Sequence, residues 1–136
     1  MNKKIENLSP VKGSFRDPDS RIFILNDRVI RGLRGESAKF VSEFLETDFA
    51  RVNLGTRIIK SWKLDTTEVA ALGVQENFIE NYEIWIEHDR LEFVSYPHEW
   101  SFEMLRKAAL FHLDLNIDAI EAGFQLKDAS AYNVQF

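Results

Sequence analysis

The sequence predicts an α+β fold, with a twisted antiparallel sheet of about five strands, one helix packed on it and a long helix near the C-terminus. Two β-hairpin patterns and one long amphipathic segment carry this prediction. The chain has 136 residues, of which 45% are hydrophobic and 29% are charged, which suits one domain with an ordinary core. We expect a loosely held polar segment at residues 1–12 and a single module at residues 13–136.

The composition argues against several classes of function. Seventeen basic residues against 22 acidic ones give a net charge of −5, which disfavours nucleic acid as a partner. Without cysteine, the chain has no disulfide, no thiolate metal ligand and no cysteine nucleophile. The apolar runs are too short to cross a bilayer, and the N-terminus lacks the apolar segment of a signal peptide. We therefore expect a cytoplasmic protein without a membrane partner.

The first part of the chain predicts a three-stranded antiparallel meander over residues 14–31. Gly13–Ser20 has the composition of a short strand that ends in a tight turn. Two β-rich runs follow at residues 21–25 and 28–31, and the intervening Asn26-Asp27 is a typical two-residue hairpin turn.

A helix is predicted from Gly35, because Phe40, Val41, Phe44 and Leu45 share one apolar face. This is the helix expected to pack on the sheet.

The middle of the chain predicts further short elements. Residues 57–62 favour a strand, and residues 66–71 favour a short helix that Gly73 stops. Residues 82–86 and 91–95 are β-rich runs joined by a polar turn, which predicts a second hairpin.

The longest helix is predicted between Ser101, a suitable N-cap, and Gly123, a suitable C-terminal stop. Its apolar residues recur every three or four positions, which predicts a continuous stripe facing the core: Leu105, Ala109, Leu113, Ile117 and Ile120. The preceding segment, Tyr96–Trp100, is predicted to be a linker, because Pro97 has no N–H to donate to a central strand.

The loop after this helix contains the candidate chemistry. Asp128 precedes Asn133 by five residues. The aspartate can accept the proton of an attacking hydroxyl, and the asparagine amide oxygen can bind magnesium, as phosphoryl transfer requires. The same interval separates Asp48 from Asn53, where no chemistry is expected, and both residue types also favour turns. The structural alternative therefore stays open.

Other reactive residues form no motif. The three histidines lie far apart in the sequence, and we expect ordinary surface or boundary residues rather than metal ligands at His88, His98 and His112. The sequence has no Walker loop, no H-E-x-x-H and no G-x-S-x-G segment. The Asp128–Asn133 loop is thus the leading candidate.

The predicted elements follow one another in the order of a protein-kinase-like small lobe, its hinge and the start of its large lobe. In this interpretation Tyr96–Trp100 is the hinge, and the long helix leads into the catalytic-loop-like segment. The candidate residues are then Asp128 for catalysis, Arg31, Tyr96 and Asn133 for cofactor binding, and Asn133 for the metal.

Departures from an active kinase argue against catalysis by this chain alone. The turn at residues 16–20 has no glycine that would let backbone N–H groups approach a phosphate, and it carries two aspartates. The third strand offers Arg31 or Arg28 instead of lysine, and Glu43 or Glu46 is the helix residue that would pair with it. One amide ligand would also hold a metal poorly.

Two segments carry a resemblance to a known family: residues 95–102, Ser-Tyr-Pro-His-Glu-Trp-Ser-Phe, and residues 126–136, Leu-Lys-Asp-Ala-Ser-Ala-Tyr-Asn-Val-Gln-Phe. They resemble the N-terminal region of bacterial SAM-dependent methyltransferases, some of them nodulation-related. Residues 13–18 and 28–31 are similar to that region as well. In that family the methyltransferase domain lies further downstream. None of the six glycines here forms a G-x-G-x-G cluster for SAM.

The resemblance implies a non-catalytic, kinase-like N-terminal module that is incomplete relative to its family. Its partner would be the downstream methyltransferase domain or a separate chain, and the complete protein would bind a nucleotide or substrate moiety there. SAM belongs to the downstream domain, so no cofactor is expected in this chain. Two alternatives stay open. One is an assembly module, including a homo-oligomer, and the other is a small-molecule kinase that uses ATP and magnesium once a partner completes its site.

Overall fold

The computed structural model describes residues 10–73, 79–127 and 129–136. The chain divides into two compact units, Met1–Arg90 and Leu91–Phe136. A four-stranded antiparallel sheet with short helices belongs to the first unit, and a long helix belongs to the second. The predicted α+β class is therefore confirmed. Within the described residues, no helix combines the length and the apolar character that a bilayer crossing needs.

The sheet runs in the order β1-β2-β4-β3, and every neighbouring pair is antiparallel. Its four strands, against about five predicted, are β1 (Ser20–Leu25), β2 (Arg28–Leu33), β3 (Ser61–Lys63) and β4 (Ile84–His88). β1 and β2 form the predicted hairpin, and its turn holds Asn26 and Asp27 at φ of 47° and 68°. A two-residue type I′ turn needs positive φ at both positions, which Asn and Asp tolerate.

The predicted strand over Gly13–Ser20 is wrong, because Lys12–Arg16 forms a 3-10 helix. The hydroxyl of Ser14 accepts a hydrogen bond from the Ile22 N–H at 2.7 Å, and the Val11 N–H donates to the Ile22 carbonyl at 2.8 Å. Serine side chains compete with backbone partners in this way. These two hydrogen bonds therefore satisfy the backbone of Ile22 at the outer edge of β1, where the sequence predicts a third strand.

The second predicted hairpin is wrong as well, because residues 91–95 form no strand. β4 begins two residues later than the predicted strand at residues 82–86. β2 occupies one edge of β4, and β3 occupies the other. Since a strand has only two hydrogen-bonding edges, no edge remains for a returning strand.

The α-helices whose bounds lie within the described residues are α1 (Gly35–Leu45), α2 (Asp48–Asn53), α3 (Thr66–Ala71) and α4 (Phe102–Glu121). Asp65 caps α3 and forms a capping box with Glu68, so that each side chain accepts a hydrogen bond from the other residue's N–H. Ser101 caps α4 as predicted, because its hydroxyl accepts from the Met104 N–H at 3.3 Å. These local signals fix where the helices begin.

Both faces of the sheet carry apolar residues. The larger cluster of buried side chains covers one face, which we name the core face. Its members are Phe23, Leu25, Ile30, Leu64, Val69, Leu72 and Trp85. On the opposite face, Ala38 of α1 packs against Leu33 and Ile86, and we name this the α1 face. The first helix therefore packs on the sheet, as predicted.

Gly32 of β2 lies directly under the ring of Tyr82. A Cβ atom at this position would lie 2.6 Å from the Tyr82 Cγ, which is too close for any real contact. We expect Gly32→Ala to lower the free energy of unfolding by about 1–3 kcal/mol, the usual cost of overpacking. Urea denaturation measures the loss. Gly13→Ala is the matched control, because nothing lies within 4 Å of its Cβ position, and equal stabilities of the two variants would contradict the prediction.

The predicted core stripe of α4 is wrong in its direction. Its four large residues are exposed, Leu105 by 40%, Leu113 by 59%, Ile117 by 53% and Ile120 by 59%. The buried residues of the helix are instead Ala108, Leu115 and Ala119. At 3.6 residues per turn the centres of these two sets are roughly 120° apart around the helix axis, so α4 is apolar on two sides. Periodicity alone could not choose between two apolar sides.

Candidate functional site

The sequence-predicted site residues fall in separate parts of the molecule. Asp128 lies outside the described residues, and its catalytic role stays a prediction. Arg31 lies on β2 in the first unit, whereas Tyr96 and Asn133 belong to the second. Each unit carries its own cluster of polar and aromatic side chains.

The second unit joins the two segments that carry the family resemblance. The Ser95 N–H donates to Gln135 Oε1 at 2.9 Å, and Gln135 Nε2 donates back to the Ser95 carbonyl at 3.2 Å. One glutamine side chain therefore satisfies both backbone groups of a residue 40 positions away. We name the packed residues 95–100 and 131–136 the terminal cluster.

Trp100 is the centre of the terminal cluster. Its indole Nε1–H donates to the Ser95 hydroxyl at 2.9 Å, and its ring meets Phe136 edge-on at 5.0 Å between centroids. Trp100 is buried together with Val134 and with Ala108 of α4. A buried indole with a satisfied N–H and apolar neighbours is a strong packing element.

Tyr96 and Asn133 lie on the surface of this unit. Tyr96 is 48% exposed, its ring stacks on His98 at 5.7 Å, and its N–H donates to Glu99 Oε2 at 2.8 Å. Asn133 is exposed at the end of a 3-10 helix, and its N–H donates to the Ser130 carbonyl at 3.0 Å. In the part of the chain that is described, no group of three or more His, Asp or Glu residues can hold a metal ion. The magnesium role of Asn133 stays a prediction.

Arg31 lies on the α1 face of the sheet, because it pairs with Ile86 across the β2–β4 ladder. Burial lowers the pKa of its guanidinium, an effect that Asp17 partly opposes. The proposed helix partners do not reach it: Glu43 and Glu46 are exposed on and after α1. The lysine–glutamate pair of an active kinase therefore has no counterpart formed by these side chains.

His88 ends β4 on the same face, where it pairs with Val29. Its Nδ1 lies 2.7 Å from the Ser61 hydroxyl oxygen. Burial, and then the charge of Arg31, lower the pKa of His88 from 6.5 to about 4, while Glu87 acts weakly in the opposite direction. The imidazole is therefore neutral at physiological pH.

Sequence reasoning missed His88 because it assigned this residue to a turn. β4 begins two residues later than predicted, which moves His88 from the turn into the strand. The partner of its side chain, Ser61, is 27 residues away, and no local signal joins them.

A pocket of about 510 Å³ opens beside β4 in the first unit. Tyr82 and Trp85 contribute aromatic rings that meet edge-on at 5.0 Å, and Lys63 lies at its rim. The Glu83 carboxylate, also in the lining, already accepts the Gly35 N–H at 2.7 Å. Lys63, Thr66, Glu80 and Glu83 add polar groups to the aromatic rings of the lining, a mixture typical of a ligand-binding pocket.

Comparison with known proteins relates this two-unit α+β chain to nodulation proteins. It is similar to the nodulation protein NoeA of Rhizobium meliloti (strain 1021), with 36% identity over 126 residues. The matched residues are 93% of this chain but 25% of NoeA, so the chain spans about a quarter of that protein's length. The nodulation-related part of the resemblance is thereby confirmed. No protein-family model matches the chain. The search of solved structures found no match either.

Proposed function

We propose that this chain is the non-catalytic, kinase-like N-terminal module of a longer, SAM-dependent methyltransferase-type protein, and that it works by docking onto the rest of that protein. The observation that carries the proposal is an exposed apolar surface on α4, which we name the outer stripe. Its residues are Phe102, Leu105, Leu110, Leu113, Ile117 and Ile120, each at least 40% exposed.

A helix whose apolar residues extend beyond the side that packs in its own unit has further apolar surface to bury. The inner side of α4 packs in its own unit, where Ala108 lies against Trp100 and Val134. The outer stripe has six large apolar side chains in five turns. Arg106, which pairs with Glu103 at 2.7 Å, lies one helical turn from both Phe102 and Leu110. A group of exposed large apolar side chains of this kind marks an interaction site.

The occupant that we assign to the outer stripe is the remainder of the longer protein. The relative NoeA is about four times as long as the segment this chain matches, so in a protein of that length most of the polypeptide is available to cover the stripe. The core of such an interface is usually apolar, as the side chains of the outer stripe are.

The kinase-like part of the proposal is supported by the placement of Arg31. It lies on the α1 face, the side on which a kinase lysine meets the glutamate of its first helix. The exposed glutamates of α1 and the turn without glycine support a module that does not transfer phosphate. The alternative is a small-molecule kinase that uses ATP with magnesium after a partner completes its site.

Co-expression tests the docking proposal. The 136-residue chain and the remaining part of NoeA are produced as separate polypeptides in one cell, and we expect them to copurify. The double variant Leu113→Glu/Ile117→Glu should abolish copurification, because it places two charges in the apolar stripe. Val52→Glu is the matched control, since Val52 is 67% exposed on a helix of the first unit and should have no effect.

Two results would contradict the proposal. One is failure of the unaltered chain to copurify. The other is a homodimer in sedimentation that the double variant disrupts, because it would assign the outer stripe to a second copy.

A further inference from the structure

The pocket beside β4 is large enough to hold a small molecule, since its volume of about 510 Å³ lies within the roughly 300–1,000 Å³ of most ligand sites. The end of β3, the helix α3 and residues 79–85 supply its lining. Seven of the eleven lining residues are apolar or aromatic, and the other four are Lys63, Thr66, Glu80 and Glu83. A matching ligand therefore combines an apolar body with a polar or charged group.

The apolar part of the lining is held in place by the core of the first unit. Leu64, Val69 and Trp85 line the pocket and are buried members of the core face. The Leu64 N–H donates to the Trp85 carbonyl at 2.9 Å, which joins two sides of the pocket at the backbone. The capping box of Asp65 with Glu68 fixes the start of α3, the helix that carries Val69. A ligand need not order these side chains when it binds, which favours affinity.

The charged groups of the lining favour a cation. Two carboxylates, those of Glu80 and Glu83, stand against one ammonium, that of Lys63, so negative charge is in excess. Glu83 already accepts the Gly35 N–H at 2.7 Å. Among the described residues, Glu80 and Lys63 take part in none of the ion pairs, with each other or with any other side chain. The exposed carboxylate of Glu80 can therefore accept a charge-assisted hydrogen bond from a ligand.

We propose that this pocket binds a small molecule that carries an ammonium group on an aromatic or other apolar body. The ammonium donates to the Glu80 carboxylate, and the body packs against the pocket wall that contains Tyr82 and Trp85. Free amines and amino acids share this chemistry, and the carboxylate of an amino acid would meet the Lys63 ammonium. A ligand of the same shape that has a carboxylate in place of the ammonium should bind poorly, because Glu80 and Glu83 repel it.

Nitrogen-15 NMR of the indole N–H groups tests the proposal on the complete 136-residue chain. Phenethylamine and hydrocinnamate, which share a phenyl ring and a two-carbon linker but differ in charge, are titrated in parallel at neutral pH and equal ionic strength. We expect a saturable shift of the Trp85 signal with phenethylamine, and binding of hydrocinnamate that is at least about fivefold weaker. The Trp100 signal, from the second unit, should not move and serves as the internal reference.

A pair of neighbouring substitutions on α3 tests whether the pocket itself is the binding site. Ala70 lines the pocket, whereas Ala71 lies outside the lining, and both are exposed. Ala70→Phe should abolish the Trp85 shift, because its ring occupies pocket volume, and Ala71→Phe should retain the shift. Well-dispersed indole signals of Trp62 and Trp85 show that the first unit of each variant is folded.

A second pair of variants tests the role of charge. Glu80→Gln should weaken phenethylamine binding by about two- to fivefold, the effect of one exposed ion pair. Glu43→Gln is the matched control and should have no effect, because Glu43 is exposed on α1 and outside the lining. Phenylalanine distinguishes the two sources of the ligand: tighter binding than phenethylamine assigns the pocket to amino acids, and weaker binding assigns it to free amines.

Four outcomes would overturn the proposal. These are no saturable Trp85 shift with phenethylamine, equal binding of hydrocinnamate, a shift that survives Ala70→Phe, and equal affinities of Glu80→Gln and Glu43→Gln. None of them bears on the outer stripe of α4, so this proposal and the docking proposal fail independently.

Discussion

Replacing His88 with asparagine should remove most of the pH dependence of stability between about pH 6.5 and pH 4. Burial and the nearby Arg31 lower the pKa of His88 from 6.5 to about 4 in the folded chain. Between these values the unfolded chain binds a proton that the folded chain does not, so stability is complete above the unfolded pKa and falls as the pH falls. The shift corresponds to about 2–3 kcal/mol of lost stability at the acidic end.

Urea denaturation of both proteins at several pH values measures this effect. His88→Asn is the appropriate variant, because an asparagine amide can replace Nδ1 as the hydrogen-bond partner of the Ser61 hydroxyl, as donor or as acceptor. His98→Asn is the control and should keep the wild-type decline, since His98 is exposed. If wild type and His88→Asn lose stability in parallel, other groups cause the acid sensitivity.

Replacing Phe23 with alanine should lower the free energy of unfolding by about 3–5 kcal/mol, the usual cost of removing a buried aromatic ring. Phe23 has no solvent exposure, and its ring contacts Tyr82 at 5.9 Å and Trp85 at 5.7 Å between centroids. Because the three rings pack against one another, the neighbouring side chains can fill only part of the volume that the Phe23 ring leaves.

Thermal and urea denaturation check the loss against Phe15→Ala, the same chemical change at a side chain that is 70% exposed. That control should alter stability by less than about 0.5 kcal/mol. A loss at Phe23 no larger than at Phe15 would mean that the core face is not the main stabilising cluster of the first unit.

The elements that local signals specify agree with the sequence-based prediction. The turn at Asn26-Asp27 and the Ser101 cap of α4 depend on neighbouring residues, and both occur as expected. The error at the second hairpin concerns a pairing between distant segments. Residues 91–95 have strand-like composition, but β2 and β3 occupy both edges of β4. Which partner occupies an edge cannot be read from the strand alone.

In the candidate sites, too, contacts between distant segments are not predicted by local signals. Motif and spacing point to Tyr96 and Asn133, yet the contact that unites their segments is made by Gln135 with Ser95, a pair 40 positions apart. The presence of His88 on the same sheet face as Arg31 depends on a two-residue difference in the start of β4. A shift in strand position decides which side chains share a face, and the local sequence pattern does not indicate it.

The hydrogen bonds that Val11 and Ser14 form with the outer edge of β1 affect how the protein can associate. An unpaired edge of a sheet is a template to which a strand of another molecule can add, and uncontrolled addition leads to aggregates. At the outer edge of β1, the N–H and carbonyl of Ile22 are already hydrogen-bonded to Ser14 and Val11. The opposite edge of the sheet is β3, which is only three residues long. Addition of a strand at either edge of the sheet is therefore disfavoured.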